Sequence, residues 1–284
     1  MMYVWICISE YGAATFGRNG VVPSYALFAV PDSIADDLAY YIDVKFFVRT
    51  RKQSGLIFFV GSNASVAGSN QTFFTIEFSQ AGIVSRLKLG GEIETNVLPG
   101  FVADGVQHFV RVTRNHSLLL IQLDDTSEVY TVNCSMPLVA DLIYVGGMPL
   151  KNTRRRRDTY SAPSEQFSGT LQGIQLNVLR LQLFPVNSTD EDGSPPPSVE
   201  LPVESFGVDE GEQSDDMCRL LQPCTNNATC QTEFYNEYRL LLTSCVITFI
   251  TLFFITSAKE VVLLSLFVCL SVRNFAHKCP NWLA

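Results

Sequence analysis

The sequence predicts an all-β protein whose large domain is a two-layer sandwich. From Ala39 to Val178, apolar and polar residues alternate in short runs that are separated by Gly, Asn, Asp and Pro. This alternation places every second side chain on one face of a strand. No stretch of this region has a sustained helical period with caps. A single layer of such strands would leave an apolar face in water, so a second layer is expected.

The predicted strands follow one another along the chain. "DVKFFVRT" has apolar residues at every second position, and "GLIFFVGS" is an apolar run closed by a Gly-Ser turn. "TFFTIEFSQAGIVSRLKLGG" forms two strands across Ala81-Gly82, and "QHFVRVTRNHSLLLIQLDD" forms two strands across Arg114-Asn115. "LIYVGG" and "GTLQGIQLNV" complete the set. The residues predicted to share one face within each strand are Val44, Phe46 and Val48, then Phe74, Ile76 and Phe78, then Ile83, Ser85, Leu87 and Leu89.

Length and charge limit the classes to which the protein can belong. Its 284 residues suffice for one large domain and a small module. The net charge of −8 makes nucleic acid an unsuitable partner. Among the eight cysteines, one group has the regular spacing of a disulfide framework, namely Cys218, Cys224 and Cys230.

Six Asn-X-Ser/Thr acceptors for N-glycosylation indicate the secretory pathway, where disulfides can form. Average composition supplies roughly one such site per couple of hundred residues by chance. Residues 1–14 are either a weak leader or the start of a fragment of a longer extracellular chain, because "MMYVWICI" lacks a basic n-region; the fragment is the favoured interpretation. The predicted glycosylation sites are Asn63, Asn70, Asn115, Asn133, Asn187 and Asn227.

Several phrases, taken in order, resemble a laminin G domain over residues 15–185. They are "VRTRKQSGLIFFVGS", "FFTIEFSQAGIVSRLKLGG", "VADGVQHFVRVTRNHSLLLIQLDD", "LIYVGGMP" and "FSGTLQGIQLN". The resemblance implies a jelly-roll-like sandwich that binds proteins or glycans. "FSGTLQGIQLNVLRLQLFP" is most similar to the laminin G domains of the Crumbs polarity proteins, which alternate such domains with EGF repeats.

The sequence departs from the laminin G pattern at three places. The family's Asp-Gly-x-Trp-His phrase has Gln107 in place of the tryptophan, and Thr170 stands where a cysteine is often found. Many members hold calcium through an Asp before the "FTIEF"-like strand. Here "SNQTFF" offers no carboxylate, and Asp141 lies near a second ligand position. The resemblance thus implies calcium, but the residues do not support it, and no cofactor is predicted.

Residues 186–216 form an acidic, Pro-rich segment without a basic residue. Such a composition buries too little apolar surface to fold alone. The sequence therefore predicts an extended, self-repelling linker.

Residues 217–239 resemble the first half of an EGF-like repeat. The EGF pattern joins its first cysteine to its third and its second to its fourth. The resemblance therefore implies a Cys218–Cys230 disulfide and leaves Cys224 without a partner, because Leu240 stands where the fourth cysteine is expected.

Residues 240–272 are apolar, and residues 273–284 form a short basic tail. The uncharged run 240–258 has the length of a transmembrane helix, and the basic tail fits a cytoplasmic end. Alternatively, the apolar segment is read-through or an alternative terminal exon that interrupts the EGF-like module. Both interpretations stay open.

The sequence contains no arrangement typical of an enzyme. His108, His116 and His277 are not spaced with cysteines or carboxylates as a metal site requires. No phosphate loop or nucleophile elbow is present. The most basic stretch, "NTRRRRDTY", is a furin-like processing site, a loop for sulfated glycan, or a solvated loop. Its basic residues are Arg154, Arg155, Arg156 and Arg157.

Two functions follow from the resemblance. The first is a non-enzymatic extracellular segment of a Crumbs-like protein at the plasma membrane, which acts in cell polarity or adhesion through protein contacts. The alternative is a secreted matrix or receptor-type laminin G module that binds sulfated glycan or a protein ligand. The expected partners are an extracellular protein or glycan and, through the C-terminal segment, the membrane.

Overall fold

A computed structural model describes residues 12–62, 71–133, 136–149, 166–185, 199–214, 217–222, 229–233 and 237–241. The chain divides into two compact units. The first contains residues 1–223 and 230–239, and the second contains residues 224–229 and 240–284. The sandwich belongs to the first unit.

Eighteen strands and two short α-helices occur among the described residues, together with a 3₁₀ turn at Arg18–Gly20. The helices are α1 (Asp32–Leu38) and α2 (Met217–Leu221). The strands are β1 (Ala14–Phe16), β2 (Tyr25–Ala29), β3 (Tyr41–Thr50), β4 (Gly55–Gly61), β5 (Phe73–Ser79), β6 (Gly82–Lys88), β7 (Glu94–Pro99), β8 (Gln107–Asn115), β9 (Leu118–Leu123), β10 (Thr126–Thr131), β11 (Leu142–Val145), β12 (Gly169–Leu176), β13 (Leu179–Leu181), β14 (Val199–Glu200), β15 (Glu204–Phe206), β16 (Val208–Glu210), β17 (Thr229–Glu233) and β18 (Glu237–Leu241).

Two sheets form the sandwich, as the sequence predicts. The first sheet has the order β10-β9-β8-β3-β12-β1-β16, and β13 and β14 extend it from β12. The second sheet has the order β15-β2-β11-β4-β5-β6-β7. All pairings inside the two sheets are antiparallel except that between β13 and β14. The prediction of an all-β sandwich is confirmed.

The core lies between the sheets and follows the predicted alternation. Val44, Phe46 and Val48 of β3 are buried, while the residues between them are half-exposed. The face of the second sheet that points away from this core carries a second buried apolar cluster, which consists of Tyr25, Leu56, Phe59, Phe73 and Tyr144. Both faces of β4 and β5 are therefore buried, which explains why β4 is a continuous apolar run rather than an alternating one.

Helix α1 is not predicted by the sequence analysis. It begins after Pro31, whose extended backbone occupies the N-cap position, and its residues Ile34 and Leu38 are buried in the core. These two residues are four positions apart and therefore lie on one helical face. The helix is only seven residues long, which is too short for periodicity to identify it.

The second half of the predicted linker is folded onto the sandwich. Residues 199–214, named here the acidic strap, contribute β14 to β13, β15 to β2 and β16 to β1. Gly207 has a φ of +62° and lets the chain turn from the second sheet to the first. The strap folds because open strand edges supply its hydrogen bonds, so it does not need an apolar core of its own.

The two ends of the sandwich carry different loops. One end contains the β8–β9 turn at His116–Ser117 and the connections β4–β5, β6–β7 and β10–β11. We name this end the turn rim. The end with the connections β3–β4, β5–β6, β7–β8 and β9–β10 is the cleft rim. The ten residues of β3 join the two rims, so the rims are about 30 Å apart.

In the cysteine module, Cys218 forms a disulfide with Cys230, the pair that the EGF resemblance implies. Strands β17 and β18 pair as a separate two-stranded sheet. Cys224 lies outside the described residues, as do residues 242–284. Leu240 and Leu241, the first residues of the predicted membrane segment, belong to β18. Within the described ranges, no helix has the length and apolar composition that a membrane span requires.

Candidate ligand-binding surface

The cleft rim contains a small open cleft. It has a volume of about 50 Å³, and the residues that line it are Gln53, Ser79, Gln80, Gly100, Phe101, Val102 and Ala103. Strand pairing brings these residues together, because Gly82 at the start of β6 lies opposite Pro99 at the end of β7. The next residues of the β7–β8 connection then cross the end of the sandwich. The cleft is large enough for one small group of a ligand.

Two apolar side chains project into solvent beside the cleft. Phe101 is 59% exposed and Val106 is 58% exposed, and both belong to the β7–β8 connection. Val102, which lies between them in the sequence, is buried in the core and anchors the connection. The connection is therefore fixed to the sandwich while it presents an aromatic and a branched side chain to solvent. Exposed aromatic residues on a rigid support are typical of binding surfaces.

Basic side chains from the end of β3 flank the same connection. Arg49 Nε donates a 2.6 Å hydrogen bond to the Gly105 carbonyl, and the Gly105 N–H donates to the Thr50 carbonyl at 2.9 Å. Gly105 has a φ of +78°, which favours glycine, and the Arg51 guanidinium lies against it, 2.5 Å from where a Cβ would be. The exposed Lys52 follows directly. The rim therefore places cations next to the apolar residues.

His108 joins the β7–β8 connection to the β9–β10 turn. Its Nδ1 lies 2.7 Å from Asp124 Oδ2 and its Nε2 lies 3.1 Å from Asp104 Oδ1. Asp104 Oδ1 also accepts a hydrogen bond from the Val106 N–H at 2.7 Å. Burial opposes the charged imidazolium, but the hydrogen bonds to Asp124 and Asp104 outweigh it and raise the pKa of His108 above its ordinary value. Burial acts to raise the pKa of Asp104, yet the Val106 N–H and His108 lower it overall.

At the turn rim, the residues do not fit a calcium site. Thr72, just before β5, uses its Oγ1 to donate to the Val139 carbonyl at 2.8 Å and to accept from the Val139 N–H at 3.0 Å. Asp141 provides the one carboxylate that the sequence analysis identified there. Calcium requires six to eight oxygen ligands that include several carboxylates. No group of three or more His, Cys, Asp and Glu side chains that could hold a metal occurs in the part of the chain that the structure describes.

The predicted site residues are divided between the described and undescribed parts of the chain. Asn115 and Asn133 are described, exposed and located at the turn rim. Arg154, Arg155, Arg156 and Arg157 lie outside the described residues, between the described ends Pro149 and Gln166. Both of these ends belong to the cleft rim, because β11 ends opposite Phe58 and β12 begins opposite Thr50. The predicted sites that remain outside the described residues are Asn63, Asn70, Asn187 and Asn227.

Sequence reasoning missed the cleft rim as a surface. The isolated Phe101 and Val106 follow no periodic pattern, and Arg49 and Arg51 look like ordinary strand-end residues. The sequence analysis assigns no site to His108, whereas the structure shows it between two carboxylates with 13% of its side chain exposed. The Asp104-Gly105 and Asp124-Asp125 pairs signal turns, but their proximity depends on the pairing of β8 with β9.

This two-sheet order and the two rims can be compared with known proteins. Residues 48–178 match the Laminin G domain family. The match covers less than half of the 284 residues and includes β4 to β12. Laminin G domains are extracellular, non-catalytic modules that bind protein or glycan ligands. No curated protein sequence matches the chain.

Solved laminin structures share this laminin G-type fold. Domains LG4-5 of the mouse laminin alpha1 chain superpose with a TM-score of 0.51 and 20% identity, over 70% of this chain and 46% of that chain. The LG1-3 region of the laminin alpha2 chain gives a TM-score of 0.52 and 19% identity, over 72% of this chain and 36% of that chain. The protein therefore spans less than half the length of these laminin structures. At such identities the likeness shows the fold alone.

Proposed function

We propose that this protein is a non-enzymatic, extracellular binding module that engages a protein ligand at its cleft rim. The observation that carries the proposal is the combination of Phe101 and Val106, both more than half exposed, with a cleft and the basic end of β3 on one rigid rim. Apolar and aromatic anchors supply most of the binding energy at protein interfaces, and flanking charges supply orientation. A partner with an apolar side chain beside a carboxylate fits this rim best.

The parent is proposed to be a Crumbs-like cell-surface protein that acts in cell polarity or adhesion. Two features support this proposal: the phrase "FSGTLQGIQLN", most of which lies in β12, and the Cys218–Cys230 disulfide of the module that follows. The apolar residues 240–272 are proposed to anchor it at the plasma membrane with the sandwich outside. A secreted form, with this segment as an alternative terminus, is the second possibility for localisation.

Binding of sulfated glycan is the second candidate function. The segment that contains Arg154 to Arg157 joins two ends that both lie at the cleft rim, where Arg51 and Lys52 are exposed. Sulfate groups pair well with clustered arginines because each guanidinium offers a fork of donors. A basic surface on an otherwise acidic protein would also steer anionic ligands toward this end.

Binding of the full glycosylated chain to cultured epithelial cells, with and without heparin as competitor, tests both candidates. For the protein ligand, Phe101→Ser and Val106→Ser should each reduce cell binding, while Val129→Ser on β10, a matched exposed valine, should not. For the glycan, replacement of Arg154 to Arg157 by alanine should lower the salt concentration needed for elution from heparin, and Lys45→Ala on β3 should not.

The outcomes separate the two functions. Loss of cell binding in the Phe101 and Val106 variants, with heparin retention unchanged, supports the protein ligand. Loss of heparin retention in the arginine variant alone supports the glycan. If neither set of variants changes either measurement, the cleft rim is not the binding surface.

A further inference from the structure

Asn115 and Asn133 are brought together at the turn rim, although they are separate in the sequence. Asn115 ends β8 and lies opposite Leu118 of β9, and Leu118 in turn lies opposite Thr131 of β10. The Val132 N–H donates a 2.8 Å hydrogen bond to the Ser117 carbonyl. Ser117 is the third residue of the Asn115 acceptor sequence, and Val132 directly precedes Asn133. This one backbone hydrogen bond therefore holds the two acceptor sequences next to each other. Both asparagines are exposed.

The local structure holds each asparagine at the surface. The fully buried Arg114 donates to the His116 carbonyl at 3.2 Å and to the Ala39 carbonyl at 3.1 Å, which fixes the turn that follows Asn115. His116 has a φ of +55° and its ring stacks on Tyr40 at 5.4 Å. The Asn133 N–H donates to both carboxylate oxygens of Glu94 at 3.0 and 3.1 Å.

Chain connectivity assigns two further acceptor sites to the same end. Asn63 and Asn70 belong to the segment between Ser62 and Gln71, and the Ser62 N–H is hydrogen bonded to the Thr72 carbonyl at 3.0 Å. Four of the six acceptor sequences thus belong to connections of the turn rim. The connections of the cleft rim contain no Asn-X-Ser/Thr sequence at all. The distribution is therefore one-sided rather than scattered.

We infer that N-glycans on Asn115 and Asn133 form a shield over the turn rim and confine ligand binding to the cleft rim. An N-glycan is bulky and hydrophilic, so two attached to adjacent turns cover the side chains between them. The turn rim otherwise exposes apolar side chains, among them Tyr40, Met136 and Val139, which glycans on the adjacent turns would cover. The shield rests on the extracellular setting of the proposed function.

Hydroxyl-radical footprinting of the full chain, secreted from a mammalian cell line, tests the shield without a ligand. Site occupancy is measured first, by mass spectrometry after enzymatic removal of N-glycans in ¹⁸O water. The folded protein is then oxidised before and after deglycosylation. The turn-rim reporters are Tyr40, which is 41% exposed, and Met136, which is 48% exposed. Phe101 reports on the cleft rim.

The expected result is that Asn115 and Asn133 are occupied and that deglycosylation raises oxidation of Tyr40 and Met136 severalfold, while oxidation of Phe101 is unchanged. Asn115→Gln should raise oxidation of Tyr40 and Asn133→Gln should raise oxidation of Met136. Asn187→Gln, at a site between β13 and β14 in the sequence, should change neither. If either variant is not secreted, the deglycosylated wild type still gives the measurement. Unoccupied sites in the folded protein, or equal oxidation with and without glycans, would overturn the shield. Because no ligand is used, this outcome is distinct from a failure of the proposed function.

Discussion

The Tyr25 hydroxyl donates a 2.6 Å hydrogen bond to the Glu204 carboxylate and thereby ties the acidic strap to the edge of the second sheet. The same tyrosine ring stacks on Phe206 with the ring centres 6.4 Å apart. On the other sheet, Thr15 Oγ1 donates to the Gly211 carbonyl at 2.8 Å and accepts from the Gln213 N–H at 2.8 Å. The strap is therefore held by both sheets and closes the side of the sandwich between β2 and β1.

Tyr25→Phe should destabilise the strap, because the substitution removes the hydrogen bond to Glu204 and keeps the buried ring. A hydrogen bond to a partly exposed charged group contributes about 1 kcal/mol to the free energy of unfolding. Glu204→Gln should cost a similar amount, and the double variant should cost less than the sum. Denaturation by urea measures these differences, with Glu210→Gln on the same strap as the control. Additive effects of the two substitutions would contradict a direct coupling.

The bond also predicts a response to alkaline pH. The hydrogen bond to Glu204, followed by burial and the charge of Glu204, raises the pKa of Tyr25 from 10.0 to about 12. The protonated hydroxyl is therefore favoured in the folded state. Its contribution is fully present below the unfolded-state pKa and is lost as the pH rises through the folded-state pKa. The difference in stability between the wild type and Tyr25→Phe should shrink between pH 10 and pH 12, as measured by urea denaturation in that range.

Arg114→Met should lower the free energy of unfolding substantially. The arginine is fully buried at the turn rim, and its removal leaves the carbonyls of Ala39 and His116 without these donors. The Ala39 carbonyl keeps the Leu138 N–H at 3.0 Å, so the loss is that of two hydrogen bonds from a charged donor. Each such bond contributes roughly 1.5–3 kcal/mol. Arg114→Lys should also be destabilising, because an ammonium lacks the planar fork that reaches both carbonyls. Lys45→Met, at a half-exposed cation of β3, serves as the control, and an equal effect of both Met variants would refute this role.

Removal of calcium should leave the sandwich unchanged. Asp141 and the neutral residues before β5 provide too few charged oxygen ligands for a tight site. The thermal unfolding midpoint should therefore be the same in millimolar calcium and in excess EDTA. An increase with calcium would mean that oxygen atoms of the turn rim outside the described residues complete a site.

The sandwich could be predicted from the sequence because its core strands alternate clearly. Val44, Phe46 and Val48 face the core as expected, since half-buried strands impose a period of two. The turn after β8 is two positions later than predicted, at His116–Ser117, because Arg114 and Asn115 at the end of β8 still pair with β9. Local pattern thus predicts the elements, whereas their ends depend on how neighbouring strands pair.

The acidic strap and the cleft rim could not be predicted in the same way. Composition says only that residues 199–214 cannot form a core of their own. It contains no information about the open edges of β1 and β2, which accept the strap through backbone hydrogen bonds. Likewise, His108, Asp104 and Asp124 come together only through the hairpin of β8 and β9. Features that depend on long-range pairing therefore require the structure.

His108 should make the stability of the cleft rim depend on pH near neutrality. Burial disfavours the charged ring, but the hydrogen bonds to Asp124 and Asp104 raise its pKa above the ordinary value of 6.5. The charged imidazolium is therefore stabilised in the folded state. This contribution is fully present below pH 6.5 and is lost as the pH rises through the folded-state pKa of His108. The free energy of unfolding should thus fall over that range.

Comparison of the wild type with His108→Gln isolates this effect. The variant should lose the fall in stability above pH 6.5, whereas His116→Gln, an exposed histidine of the turn rim, should retain it. Urea denaturation across this range measures the free energies, and the NMR titration of the His108 ring gives its pKa directly. Asp104→Asn should bring that pKa back toward 6.5, because it removes one of the two carboxylates that face the ring. An unchanged His108 pKa in the Asp104 variant would mean that Asp124 alone stabilises the imidazolium.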